Sequence, residues 1–127
     1  MKEFKVIQGD KVPKSHLPFS PAVRVDGWVY ISGQASVDEF GKIVVDTFEG
    51  EMRRSFENAR NILNAAGLDF HQVVQVRNYV GRKEDLAAFN QIYQDYFAAP
   101  FPARTTLIGC LSDILKFEVD MVAYGKE

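Results

Sequence analysis

Apolar residues follow two different periods along this chain, alternating in its outer thirds and recurring every three or four positions in two central stretches. Val23-Arg24-Val25 and Trp28-Val29-Tyr30-Ile31 flank Asp26-Gly27, a two-residue hairpin signal whose turn requires positive φ. That loop sets Val25 against Trp28 and Val23 against Tyr30. A short strand is expected before it, over residues 4–7. The second hairpin strand ends at Ser32-Gly33-Gln34, where a glycine permits close approach of a neighbour or ligand. A turn at 38–41 and a short apolar run at 43–45 follow.

The helical period is clearest at Met52, Phe56, Ala59, Leu63 and Ala66, with Gly67 as the stop. Asp46 is the expected N-cap, and Glu49 three positions later completes a capping-box pattern. Arg53, Arg54, Glu57 and Arg60 read as the solvated side. A valine-rich strand over 72–80 leads to a second helix near 84–97, whose buried stripe is Leu86, Phe89, Tyr93 and Tyr96. Asn90 lies about 40° from Leu86 on that helix, at the margin of the stripe. Its plain reading is an amide meeting solvent; its alternative is the edge of a pocket.

Two strands close the chain, over 104–108 and 116–124. The order β-β-β-α-β-α-β-β predicts one α+β domain over residues 1–127, with a mixed sheet and two helices on one face. Phe117, Val119, Met121 and Ala123 form the core face of the last strand, so Glu118 and Asp120 point away. Ile108, Val122 and Tyr124 are expected on the uncovered face. A sheet with apolar groups there commonly buries them against another subunit.

Composition narrows the functional classes. Charged residues make up 25% of the 127 positions and the net charge is −2, so nothing favours broad attraction to nucleic acid or anionic membrane. The single cysteine, Cys110, excludes an intrachain disulfide and suits a reducing cytoplasm. The first residues lead into no apolar targeting segment, and a cytoplasmic location is expected. His16 and His71 lie apart from any second ligand at metal spacing, so no metal site is expected.

Candidate chemistry concentrates late. Phe101-Pro102-Ala103-Arg104-Thr105-Thr106 opens a strand on an arginine, and Glu118 follows fourteen positions on. By parity Arg104, Thr106 and Ile108 share one face. A guanidinium and a carboxylate on the non-core faces of two strands can bind a small carboxylic acid beside a proton-handling group. The same spacing also fits a surface ion pair or solvated charges.

Pro18-Phe19-Ser20-Pro21-Ala22-Val23 and Val29-Tyr30-Ile31-Ser32-Gly33-Gln34 resemble the opening of the RidA/YjgF (reactive intermediate deaminase A) family. Asn58-Ala59-Arg60-Asn61-Ile62-Leu63-Asn64-Ala65-Ala66-Gly67, Phe89-Asn90-Gln91-Ile92-Tyr93 and the Arg104 segment resemble its later signatures, in the same order. The resemblance implies a chorismate-mutase-like fold, a homotrimer with clefts between subunits, and cofactor-independent hydrolysis of 2-imino or enamine acids to 2-oxo acids and ammonia. Arg104 matches the arginine that holds the substrate carboxylate, and Glu118 the glutamate associated with water and proton transfer. Ser32, Gly33 and Asn90 match cleft-lining positions.

Three departures bear on substrate. Phe19 and Pro21 stand where the family commonly has tyrosine and glutamine. Thr106 occupies a site often held by cysteine, and the usual leucine-proline pair is replaced around Leu111-Ser112-Asp113-Ile114. Two other functions stay open beside imine hydrolysis. One is a specialised deaminase of a larger unsaturated amino acid of the aminomuconate kind, with Phe19 as an apolar wall. The other is a trimeric carboxylate-binding protein without turnover. An RNase function gains nothing from the charge, and no catalytic histidine pair is evident.

Overall fold

The hairpin sets the frame of the sheet. In a computed structural model describing residues 3–126, strands β2 (Ala22–Val25) and β3 (Trp28–Ala35) pair with Val25 opposite Trp28 and Val23 opposite Tyr30, the expected register. Asp26 takes the positive φ, at 53°. Gly27 serves a different need, because a Cβ there would lie 2.7 Å from the Tyr124 ring. A two-residue strand β1 (Lys5–Val6) adds to β2.

The helix α1 (Phe48–Ala65) joins β3 to β4 (Val73–Val80), and α2 (Leu86–Tyr93) joins β4 to β5 (Ala103–Ile108). The last strand, β6 (Phe117–Tyr124), inserts between β3 and β4, giving the order β1-β2-β3-β6-β4-β5. Only the β4–β5 pair is parallel. The run at 43–45 contributes one bridge, Val37 to Ile43, rather than a strand.

Thr47, not Asp46, caps α1: its side chain accepts from the Gly50 amide at 3.1 Å. Asp46 instead accepts from the Thr47 amide, and Glu49 pairs with Arg53. Gly67 ends the helix at φ 78°. The Gly67 and Leu68 amides return to the Asn64 and Leu63 carbonyls, the paired bonds of a Schellman stop. Met52, Phe56, Ala59 and Leu63 are fully buried, while Ala66 is only partly so.

Phe56 stacks on Phe117 and Tyr96 and meets Phe70, Tyr93 and Phe97 edge-on, tying both helices to β6. The second helix is shorter than its apolar period predicts. After Tyr93 the chain tightens, with the Asp95 and Tyr96 amides bonding three residues back and the Phe97 amide returning to the Tyr93 carbonyl, which carries Tyr96 and Phe97 back to the same aromatic cluster.

Glu51 is fully buried on α1, which periodicity did not anticipate. Its oxygens accept from the Asp46 and Lys116 amides and from Lys116 Nζ. A buried carboxylate needs such partners. Here they fix the start of β6, and so the placement of Glu118.

The expected parity of β5 holds, but the face assigned to it is wrong. Arg104, Thr106 and Ile108 pair with Val76, Asn78 and Val80, all buried on the helix side of β4. Register partners share a face, so the three β5 residues also face the helix side. Arg104 and Ile108 stay exposed there because β5 is the edge strand. The open face instead carries Leu107, beside Tyr79, Val122, Tyr124, Tyr30 and Trp28. Trp28, Tyr30, Leu107 and Tyr124 are each at least 40% exposed, so the uncovered face remains apolar, with Leu107 in the place expected for Ile108.

Candidate functional site

Glu118 and Arg104 are not neighbours within one chain. Glu118 pairs with Tyr79 and points to the open face, whereas Arg104 lies two strands away on the helix side. The expected site residues therefore form two groups.

The first group gathers where β3 is irregular. Its register with β6 shifts between Ile31 and Gln34, so Ser32 and Gly33 form a bulge opposite Asp120, and the pairing is regular again by Ala35–Glu118. Bulges re-aim side chains and backbone. A Cβ at Gly33 would collide with the Glu118 carboxylate, so only glycine permits this approach. The Ser32 hydroxyl donates to the Ser20 carbonyl at 2.6 Å, and its amide to the Pro21 carbonyl at 3.0 Å. Those bonds anchor the proline-rich loop, which holds Phe19 half exposed beside Gly33 along one groove.

Burial pushes the Glu118 carboxyl above the usual glutamate range, and Asp120, two positions along the same face, pushes it further. Asp120 is itself held by two donors: Arg77 Nε at 2.8 Å and the Tyr79 hydroxyl at 2.7 Å. Burial and Asp120 raise the Tyr79 phenol to about 12, so it keeps its proton and donates. Glu118 is thus a carboxyl of raised pKa beside the exposed backbone at Gly33.

The second group surrounds Arg104. Its guanidinium carbon lies 4.8 Å from the Tyr93 ring centre and 5.0 Å from that of Phe89. One Nη2 hydrogen is given to Asn90 Oδ1 at 2.7 Å, while the Asn90 amide nitrogen donates to the Leu86 carbonyl. Asn90 is exposed, and its amide holds Arg104 rather than standing alone in solvent. No acidic side chain pairs with Arg104 among the described residues. The aromatic rings and the amide orient the fork and leave most of its donors outward.

Thr106 lies two positions along the same face, opposite Asn78. Thr106 Oγ1, Asn78 Oδ1 and the Tyr93 hydroxyl are buried without a partner among the described residues. Burial raises the Tyr93 phenol to about 12, so it too remains protonated. Sequence reasoning passed over Asn78 and Tyr93 as polar groups. Asn78 was findable: it is the one amide at the apolar parity of a valine-rich strand, between Val76 and Val80. The Arg77–Asp120–Tyr79 bonds carried no comparable signal, because they depend on strand pairing.

Among the described residues no group of three or more histidine, cysteine or acidic side chains is placed to hold a metal. No helix there is long and apolar enough to cross a membrane. Cys110 is exposed and stands outside both groups.

A six-stranded mixed sheet with both crossover helices on one face, and a glycine bulge against a half-buried glutamate, defines a known class. The endoribonuclease L-PSP family model matches residues 9–125, and the chain belongs to this family, also called YjgF/RidA. A mouse relative named 2-iminobutanoate/2-iminopropanoate deaminase is 35% identical over 121 residues, covering 94% of this chain and 90% of its own. The structure of RidA from an Antarctic Psychrobacter superposes with a TM-score of 0.87 at 30% identity, over 95% of this chain and 99% of the other. That of E. coli TdcF with bound serine gives 0.85 at 27% identity, over 96% and 99%.

Proposed function

We propose that this protein hydrolyses 2-imino and enamine acids to 2-oxo acids and ammonia, at sites completed between copies of the chain in a homotrimer. The observation that carries the reading is the division of the polar groups. Arg104 presents an oriented fork with no acidic partner among the described residues on one face, and Glu118 presents a carboxyl of raised pKa on the other. A second copy packed on the apolar open face would bring its Arg104 edge to the first copy's Glu118. The mouse relative's named activity and TdcF's bound serine, a small carboxylate, agree with such a cleft.

In this mechanism Arg104 clamps the substrate carboxylate through parallel N–H bonds, with Asn90 and Thr106 framing it. The imine carbon then lies over the Ser32–Gly33 bulge, and Phe19 walls the substrate's side chain. Glu118 takes a proton from the attacking water as the C–O bond forms. It returns that proton to nitrogen to give the carbinolamine, then relays the hydroxyl proton to the same nitrogen as the C=O bond forms and the C–N bond breaks, releasing ammonia. No redox step is involved, and the chain's own groups suffice to move the protons.

The test is an oxidase-coupled assay. An amino acid oxidase supplies 2-imino acids, and their disappearance is followed with and without the protein. Accelerated loss supports the reading; imine decay at the spontaneous rate with every amino acid overturns it.

Asp120 sets a pH signature. Its charge raises Glu118, so the limb of the kcat/KM–pH profile governed by Glu118 should lie above the ordinary glutamate value. Asp120→Asn removes that contribution and leaves burial, so the limb should move to lower pH without disappearing. A limb that stays in place would mean that Asp120 does not tune Glu118.

A further inference from the structure

The groove beside Gly33 is far larger than a three- or four-carbon imine requires. It encloses about 910 Å³, near the top of the roughly 300–1,000 Å³ found for pockets that take drug-sized ligands. It runs from Gly33 and Phe19, which belong to the Glu118 half-site, under the loop that carries Leu17. Val12, Leu17, Phe19 and Val37 give it an apolar wall. Leu17 and Phe19 are 66% and 50% exposed, a large apolar commitment for a surface loop.

We infer that this groove is a side-chain subsite, and that the preferred substrates are 2-imino acids with bulky apolar side chains of leucine or phenylalanine size. The inference rests on the imine-hydrolysis reading. Continuity points to the occupant: the groove reaches the glycine against which Glu118 rests, although Glu118 itself does not line it, so a side chain extending from an imine carbon held there has this groove to enter. Phe19 brings no hydroxyl to this wall, which therefore offers the substrate tail dispersion contacts rather than a hydrogen bond. Lys14 and His16 also border the groove, with Asp10 beside them. They make an acid-tailed imine the competing occupant.

Imines generated from 2-aminobutyrate, leucine, phenylalanine and glutamate separate these cases by their kcat/KM. The leucine- or phenylalanine-derived imine should exceed 2-iminobutanoate by about tenfold or more, the scale of added methylenes in an apolar pocket. Leu17→Ser, at an exposed position where folding is not at stake, should lower the ratio of leucine-derived imine to 2-iminobutanoate by roughly fivefold, a fraction of one such step. Highest activity on 2-iminobutanoate or on the glutamate-derived imine overturns the inference, as does a ratio unchanged in Leu17→Ser, and the deaminase reading survives each result. Hydrolysis of none of the four overturns that reading, and this inference with it.

Discussion

Replacing Glu118 with glutamine should reduce imine hydrolysis by roughly a hundredfold, the lower end for loss of a general acid–base group, while leaving pyruvate affinity intact. The amide fills the same space beside Gly33 but cannot accept and return a proton. In the proposed mechanism carboxylate recognition falls to Arg104, two strands away within the same chain, and should be untouched. The variant should also be no less stable than wild type at neutral pH. Glu118 has a raised carboxyl pKa in the folded state, so ionising it opposes folding. Wild-type stability falls as pH rises from the ordinary glutamate value through the raised one, and glutamine removes that loss. Thermal unfolding at pH 5 and pH 8 checks this. Full activity in the variant would remove Glu118 from the chemistry.

Arg104→Lys should weaken pyruvate or 2-oxobutyrate binding by roughly ten- to a hundredfold, the equivalent of one charge-assisted hydrogen bond. Lysine keeps the charge but loses the planar fork, the stacking over Tyr93 and Phe89, and the fixed bond to Asn90. Calorimetric titration reads the affinity directly. Equal affinity would make Arg104 a structural residue of the sheet edge.

What the sequence revealed followed where burial imposes a pattern. The β2–β3 hairpin was legible because a two-residue turn admits one register. Helix α1 was legible because Met52, Phe56, Ala59 and Leu63 all meet the core. Its cap was misplaced by one residue because Asp46 and Thr47 both carry capping oxygens, and only geometry chooses between them.

Strand β5 was misread for a deeper reason. As an edge strand beyond the helices it is largely exposed on both faces, so its residues show no alternation from which to fix a face. Its orientation is dictated by pairing with β4, and pairing is not written in the strand itself. The candidate residues were therefore identified singly, by motif, while their division between two faces needed the sheet.

That division supplies the most direct measurement. Arg104→Ala and Glu118→Gln proteins, each expected to be strongly impaired alone, are unfolded together in equal amounts, refolded and assayed on the same imine. If each site takes its arginine from one copy and its glutamate from the next, random mixing in a closed ring leaves about one quarter of the sites with both native groups. Activity should return to about that fraction of wild type. No recovery, from mixed oligomers shown to have formed, would contradict a site shared between copies.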